Sequence, residues 1–93
     1  MEEKARAYLI VSGRVQGVCF RAETQRAART VGVSGWVRNK RDGTVEAIVE
    51  GSKKDVMSLI NWCKTGPPLS RVEKVDVSWQ DCHGEFSEFG INY

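Results

Sequence analysis

Apolar positions along this chain follow two rhythms, and the changes between them mark out the elements. Residues 5–11 are short, apolar or aromatic and rich in strand formers; the run stops at Ser12 and Gly13, which predicts a first strand. After it, Phe20, Thr24, Ala27, Ala28 and Val31 recur at spacings that place them on one buried face of a helix, and Gly32 supplies a left-handed cap. Residues 33–39 and 44–50 are two runs of mostly alternating apolar and polar positions. They are joined by Lys40-Arg41-Asp42-Gly43, whose Asp-Gly pair signals the turn of a hairpin. Ser52 followed by Asp55 resembles a capping box with Asp in the Glu position, and Val56, Leu59, Ile60 and Cys63 continue at helical spacing. Gly66-Pro67-Pro68 breaks that helix, because proline has no N–H to give and clashes with the preceding turn. Val75, Val77 and Trp79 then alternate with Lys74, Asp76 and Ser78 as in a half-buried strand. Phe89 and Ile91, on alternate positions of residues 86–93, allow a short C-terminal fifth strand.

Strand, helix, hairpin, helix, strand is the order of an α+β, ferredoxin-like βαββαβ sandwich, with two helices on one face of an antiparallel sheet. With 93 residues there is room for a single core, so residues 1–93 are expected to form one domain. The order also places residues. A right-handed first crossover makes the first two strands parallel with the third inserted between them, so both finish at one edge of the sheet. The loop over residues 13–20 should therefore lie near Asn39.

Composition narrows the partners. Apolar residues are 41% and charged residues 28%, as in folded proteins, and a net charge of +2 is too small to imply a nucleic-acid partner. Cys19, Cys63 and Cys82 are odd in number and lack CxxC spacing, which suits free thiols in a reducing cytosol. The charged residues 1–6 lack the apolar run of a signal peptide, and no window approaches a membrane span, so a cytoplasmic location without membrane contact is expected.

Candidate chemistry concentrates between the first strand and the first helix. Ser12-Gly13-Arg14-Val15-Gln16-Gly17-Val18-Cys19-Phe20-Arg21 runs into a helix N-terminus, where unpaired N–H groups and the helix dipole favour an anion. Two glycines let successive amides curl inward as a nest for phosphate oxygens, and Arg21 adds a cation where the dipole alone disfavours one. By themselves these residues leave open, and even favour, an ordinary turn with Arg21 in solvent. Cys19 stands only two residues from Arg21, too close for a thiol-phosphatase loop, and neither a Gly-Lys-Ser/Thr ending nor a GxGxxG is present. His83, the only histidine, has no partner at motif spacing and reads as an exposed loop residue; Asp42 is explained by turn geometry. One histidine and scattered acids assemble no metal set. Cys63 and Trp36, Trp62 and Trp79 read as packing residues.

Taken together, Gly13-Arg14-Val15-Gln16-Gly17-Val18-Cys19-Phe20-Arg21 and Gly35-Trp36-Val37-Arg38-Asn39-Lys40-Arg41-Asp42-Gly43-Thr44-Val45-Glu46 closely resemble the two signatures of the acylphosphatase family. The similarity continues through Glu50-Gly51, Trp62-Cys63 and Gly66-Pro67-Pro68, so it covers nearly the whole chain. The resemblance implies cofactor-free hydrolysis of the carboxyl-phosphate anhydride of small acyl phosphates, such as acetyl phosphate, carbamoyl phosphate or the acyl phosphate of glycolysis. It makes Arg21 the phosphate-binding residue, with the amides of Gln16, Gly17, Val18, Cys19 and Phe20 completing the cradle. Asn39 would orient the attacking water. A terminal carboxylate near the arginine would give Tyr93 a supporting role.

Asn39 cannot take a proton at neutral pH, so its part is positioning, and an oxygen of the bound phosphate is expected to accept the water's proton. Without a general acid, only a leaving group stable as an anion can depart; a carboxylate, with a pKa of roughly 4, qualifies and an alkoxide does not. No cofactor or metal is called for, and a monomer is expected. Two rivals stand beside this reading. A ferredoxin-like sheet can bind RNA, although residues 45–50 offer no stacking aromatic and add two carboxylates. A non-catalytic phosphate-sensing module is the other.

Overall fold

A computed structural model describes residues 3–92. Its elements follow in the order β1 (Lys4–Arg14), α1 (Phe20–Val31), β2 (Ser34–Asn39), β3 (Val45–Ser52), α2 (Lys53–Thr65), β4 (Arg71–Gln80) and β5 (Phe89–Ile91). Alternation along β1 sends Ala5, Ala7, Leu9 and Val11 to one face of the sheet, where they meet Val45, Ala47 and Val49 of β3 and Val37 of β2. The helices close over that face. Phe20, Thr24 and Ala28 come from α1, and Val56, Leu59, Ile60 and Cys63 from α2, all buried at the spacing the sequence predicts. Burial pushes the Cys63 thiol up to about 12, which fits packing rather than reactivity.

The strands lie in the order β4-β1-β3-β2-β5. The β1–β3, β1–β4 and β2–β3 pairs are antiparallel, and β5 adds to β2 in parallel. The ferredoxin-like sandwich is therefore built on a mixed sheet, because the short fifth strand runs alongside β2 rather than against it. Its register is held by Gly35 N–H donating to Glu88 O (3.0 Å) and Asn92 N–H to Val37 O (2.9 Å). No described helix is long and apolar enough to cross a membrane.

Two details depart from the sequence pattern. Strand β1 does not stop at Ser12 and Gly13 but continues to Arg14, with its register against β4 shifting between those two residues. Gly13 makes the shift feasible: its φ is +120°, and a Cβ there would lie 2.1 Å from the Arg71 carbonyl oxygen. The second departure is in β3, which alternates in sequence yet is buried over every residue from Val45 to Glu50. Glu46 and Glu50 lie on the face without helices, and other side chains cover them. Tyr8 and Arg38 bond the Glu46 carboxylate; Arg6 and the His83 backbone N–H (3.2 Å) reach Glu50. Residues 81–88 cross this end of the sheet, with Glu85 paired to Arg6 and Phe86 beneath its guanidinium at 5.5 Å. Burial alone would raise the pKa of Glu46, but hydrogen bonds from Tyr8 and Arg38 outweigh it and hold the carboxyl below its ordinary value. The same bond to Glu46 pushes the Tyr8 hydroxyl up to about 12.

Candidate active site

At the edge where β1 and β2 both end, residues 15–19 connect β1 to α1 and Asn39 closes β2. The topology predicted from the sequence brings these together. A cavity of about 170 Å³ is walled by Val15, Gly17, Cys19, Phe20, Arg21, Ala22, Asn39 and Ile91. Hydrophobic anchoring of the loop explains its shape: Val15 and Val18 are buried, and Phe20 packs in the core against the Trp62 ring at 5.8 Å. Between these anchors Gly17, exposed, takes φ +73°, a conformation that costs a glycine little.

Cys19 is the one non-glycine residue with positive φ among the described residues, at φ 62° and ψ 21°. Left-handed backbone at an L-residue costs about 1 to 2 kcal/mol. Cys19 occupies the N-cap position of α1, and no side chain caps this helix. The first helical bond there runs from Glu23 N–H to Cys19 O (3.0 Å), so the amides of Phe20, Arg21 and Ala22 precede the ladder at the cavity wall. The first-turn amides, the positive end of the helix dipole and Arg21 thus meet at one small hollow.

Asn39, on the same cavity wall, is half-buried, and its Oδ1 is fully buried with no donor among the described residues. A buried acceptor without a partner costs about 1 to 3 kcal/mol.

Of the residues singled out from sequence, Arg21, Asn39, Gly17, Cys19 and Phe20 share the cavity wall. Val18 turns its side chain into the core. Gln16 directs its side chain to the β2–β3 turn, donating from Nε2 to Lys40 O (2.7 Å) and Thr44 O (2.8 Å). Tyr93 lies outside the described residues. His83 is exposed and Cys63 buried in the core, both remote from the wall. Sequence reasoning missed Ile91, which β5 brings to the cavity; Gln25 fixes that strand to α1 by donating to Phe89 O (3.1 Å). Its only signal was the alternation of Phe89 and Ile91.

The acylphosphatase family model matches residues 7–91. An acylphosphatase of Pelotomaculum thermopropionicum is 52% identical over 90 residues, covering 97% of this chain and 98% of its own. One from a Roseiflexus species is 53% identical over 91 residues, covering 98% of each chain. The crystal structure of acylphosphatase from Bacillus subtilis superposes with a TM-score of 0.92 at 36% identity, covering 96% of this chain and 99% of that one. The chain belongs to the acylphosphatase family, and its activity is that of an acylphosphatase, a hydrolase acting on acid anhydrides.

Proposed function

We propose that Arg21 and the backbone amides of residues 16–20 hold the phosphate of a small acyl phosphate while Asn39 orients the water that hydrolyses it. That Asn39 and Arg21 line the same small hollow carries this reading. A water hydrogen-bonded to the Asn39 carboxamide within that hollow is held beside whatever the arginine grips. Positioning of this kind replaces a random encounter with a fixed approach.

The steps balance without a protein base. The water oxygen bonds to phosphorus, the bond from phosphorus to the acyl oxygen breaks, and the electron pair leaves with the carboxylate. One water proton moves to a phosphate oxygen, giving inorganic phosphate. The carboxylate needs no proton to depart, since its pKa is roughly 4. Arg21 and the amides act on charge that gathers on the transferring group, where charge-assisted bonds contribute about 1.5 to 3 kcal/mol each. This chemistry asks for no metal or cofactor.

The wider reading is of one domain, monomeric, cytoplasmic and without a nucleic-acid partner. The described residues share one sheet and one core, and Cys19, Cys63 and Cys82 are free thiols. On the helix-free face Tyr8 spends its hydroxyl on Glu46, and two carboxylates lie beneath the arginines, a poor platform for stacking bases. Hydrolysis of benzoyl phosphate, followed by ultraviolet absorbance in the presence of a chelator, tests the proposal. The expected result is turnover of the acyl phosphate with no release from an alkyl phosphomonoester. Dependence on added divalent metal, or equal rates on both substrates, contradicts it.

A further inference from the structure

The strand that leads into the cradle and the strand that ends at Asn39 do not touch. Strand β3 stands between β1 and β2, so no ladder bond runs from the strand leading into the cradle to the strand ending at Asn39. Among the described residues, the side chain of Gln16 spans the gap. The carboxamide of Gln16 gives one N–H to Lys40 O (2.7 Å) and the other to Thr44 O (2.8 Å), while its own backbone lies in the cradle loop. These two carbonyls are the ends of the turn that follows Asn39. Lys40 N–H donates to Thr44 O (2.8 Å) and Gly43 N–H to Lys40 O (3.3 Å), and Thr44 is fixed in turn by two bonds to Asp42 Oδ1 (3.0 and 2.6 Å). Two acceptors facing one group dictate which end of the carboxamide points at them, since its oxygen would be repelled by both.

We propose that the Gln16 side chain is a positioning residue, holding Asn39 at a fixed distance from the phosphate cradle so that the oriented water lies in line with phosphorus. The proposal rests on the roles given above to Arg21 and Asn39. Residues 41–43 of the turn are exposed, and in the sheet Asn39 is tied to β1 only through Val45 of β3, so loss of the bond from Gln16 leaves the turn and the end of β2 less restrained against the loop. A displacement of about 1 Å between reacting groups can cost a hundredfold in rate. Phosphate binding, by contrast, uses the backbone of residue 16 and should survive loss of its side chain.

The test uses Gln16→Met, which keeps size and removes the donors, Gln16→Ala, and each of them combined with Asn39→Ala. Turnover of benzoyl phosphate, the inhibition constant of inorganic phosphate and thermal stability are measured on all. Each Gln16 variant should lose roughly ten- to a hundredfold in kcat with the phosphate constant changed less than about twofold. In the Asn39→Ala background the same substitution should lower kcat by less than about twofold, because the group it positions is gone. Full kcat in the Gln16 variants, a phosphate constant that rises in step with the loss, or undiminished additivity with Asn39→Ala overturns the proposal. So does failure of both variants to fold, which would make Gln16 part of the framework. If Asn39→Ala alone keeps full turnover, the proposed role of Asn39 falls first. If Asn39→Ala is impaired and the Gln16 variants are not, only the inference about Gln16 falls.

Discussion

Helix α2 begins at Ser52 with extended backbone (φ −62°, ψ 145°), and its hydroxyl accepts from Asp55 N–H at 3.2 Å, while α1 begins at Cys19 in the left-handed region with no side-chain cap. Both are amphipathic helices on the same face of one sheet, so packing does not explain the contrast. At α2 the chain spends a side chain on its own orphan amides, which stabilises the helix start by about 1 kcal/mol. At α1 it accepts a strained residue and leaves the first-turn amides to the cavity that Arg21 and Asn39 share. One terminus is capped by its own side chain; the other opens on the cavity where phosphate binding is proposed.

Substitutions at the two termini should therefore separate activity from stability. Arg21→Ala removes two or more charge-assisted bonds worth about 3 to 6 kcal/mol together, so kcat/KM for benzoyl phosphate should fall by roughly a hundred- to ten-thousandfold. A loss smaller than tenfold would mean that the amides alone carry the phosphate. Asn39→Ala should lower kcat by on the order of a hundredfold and leave the inhibition constant of inorganic phosphate nearly unmoved. A matching rise in that constant would assign Asn39 to binding instead.

At the other terminus the signs reverse. Ser52→Ala should cost about 1 kcal/mol in denaturant unfolding with kcat/KM within about twofold of the parent, since only the cap is lost. Any large kinetic effect would show that the two helix starts are coupled. The smallest change is expected for Cys19→Gly, which relieves the left-handed strain and should stabilise the fold by up to about 1 kcal/mol. Destabilisation would mean that the thiol makes contacts that outweigh the strain.

Much of this contrast is readable from the sequence. The face of α1 follows from the spacing of Phe20, Thr24 and Ala28, and Ser52 with Asp55 announces the start of α2, although the bond observed is the Ser52 half of a capping box. The meeting of the loop with Asn39 follows from the handedness of one crossover. What stays hidden depends on contacts distant in sequence. Cys19 has no local reason to be left-handed; Val18 and Phe20, anchored in the core on either side, hold it there. The side chain of Gln16 finds partners 24 and 28 residues away. Glu46 and Glu50 alternate with apolar residues as solvent-facing positions do, and only Arg6, Tyr8, Arg38 and residues 81–88 make them interior. Strand β5 is three residues long, and its parallel partner β2 cannot be read from periodicity.

The central claim is that phosphate is held at the start of α1 and not at the start of α2. Titration of the nitrogen-15-labelled protein with inorganic phosphate, read by amide and arginine side-chain shifts, tests it most directly. Saturable shifts are predicted for the amides of residues 16–22 and for the Arg21 side chain, with the amides of residues 53–55 unmoved. Shifts of equal size at both termini, or none at residues 16–22 under saturating phosphate, would contradict it.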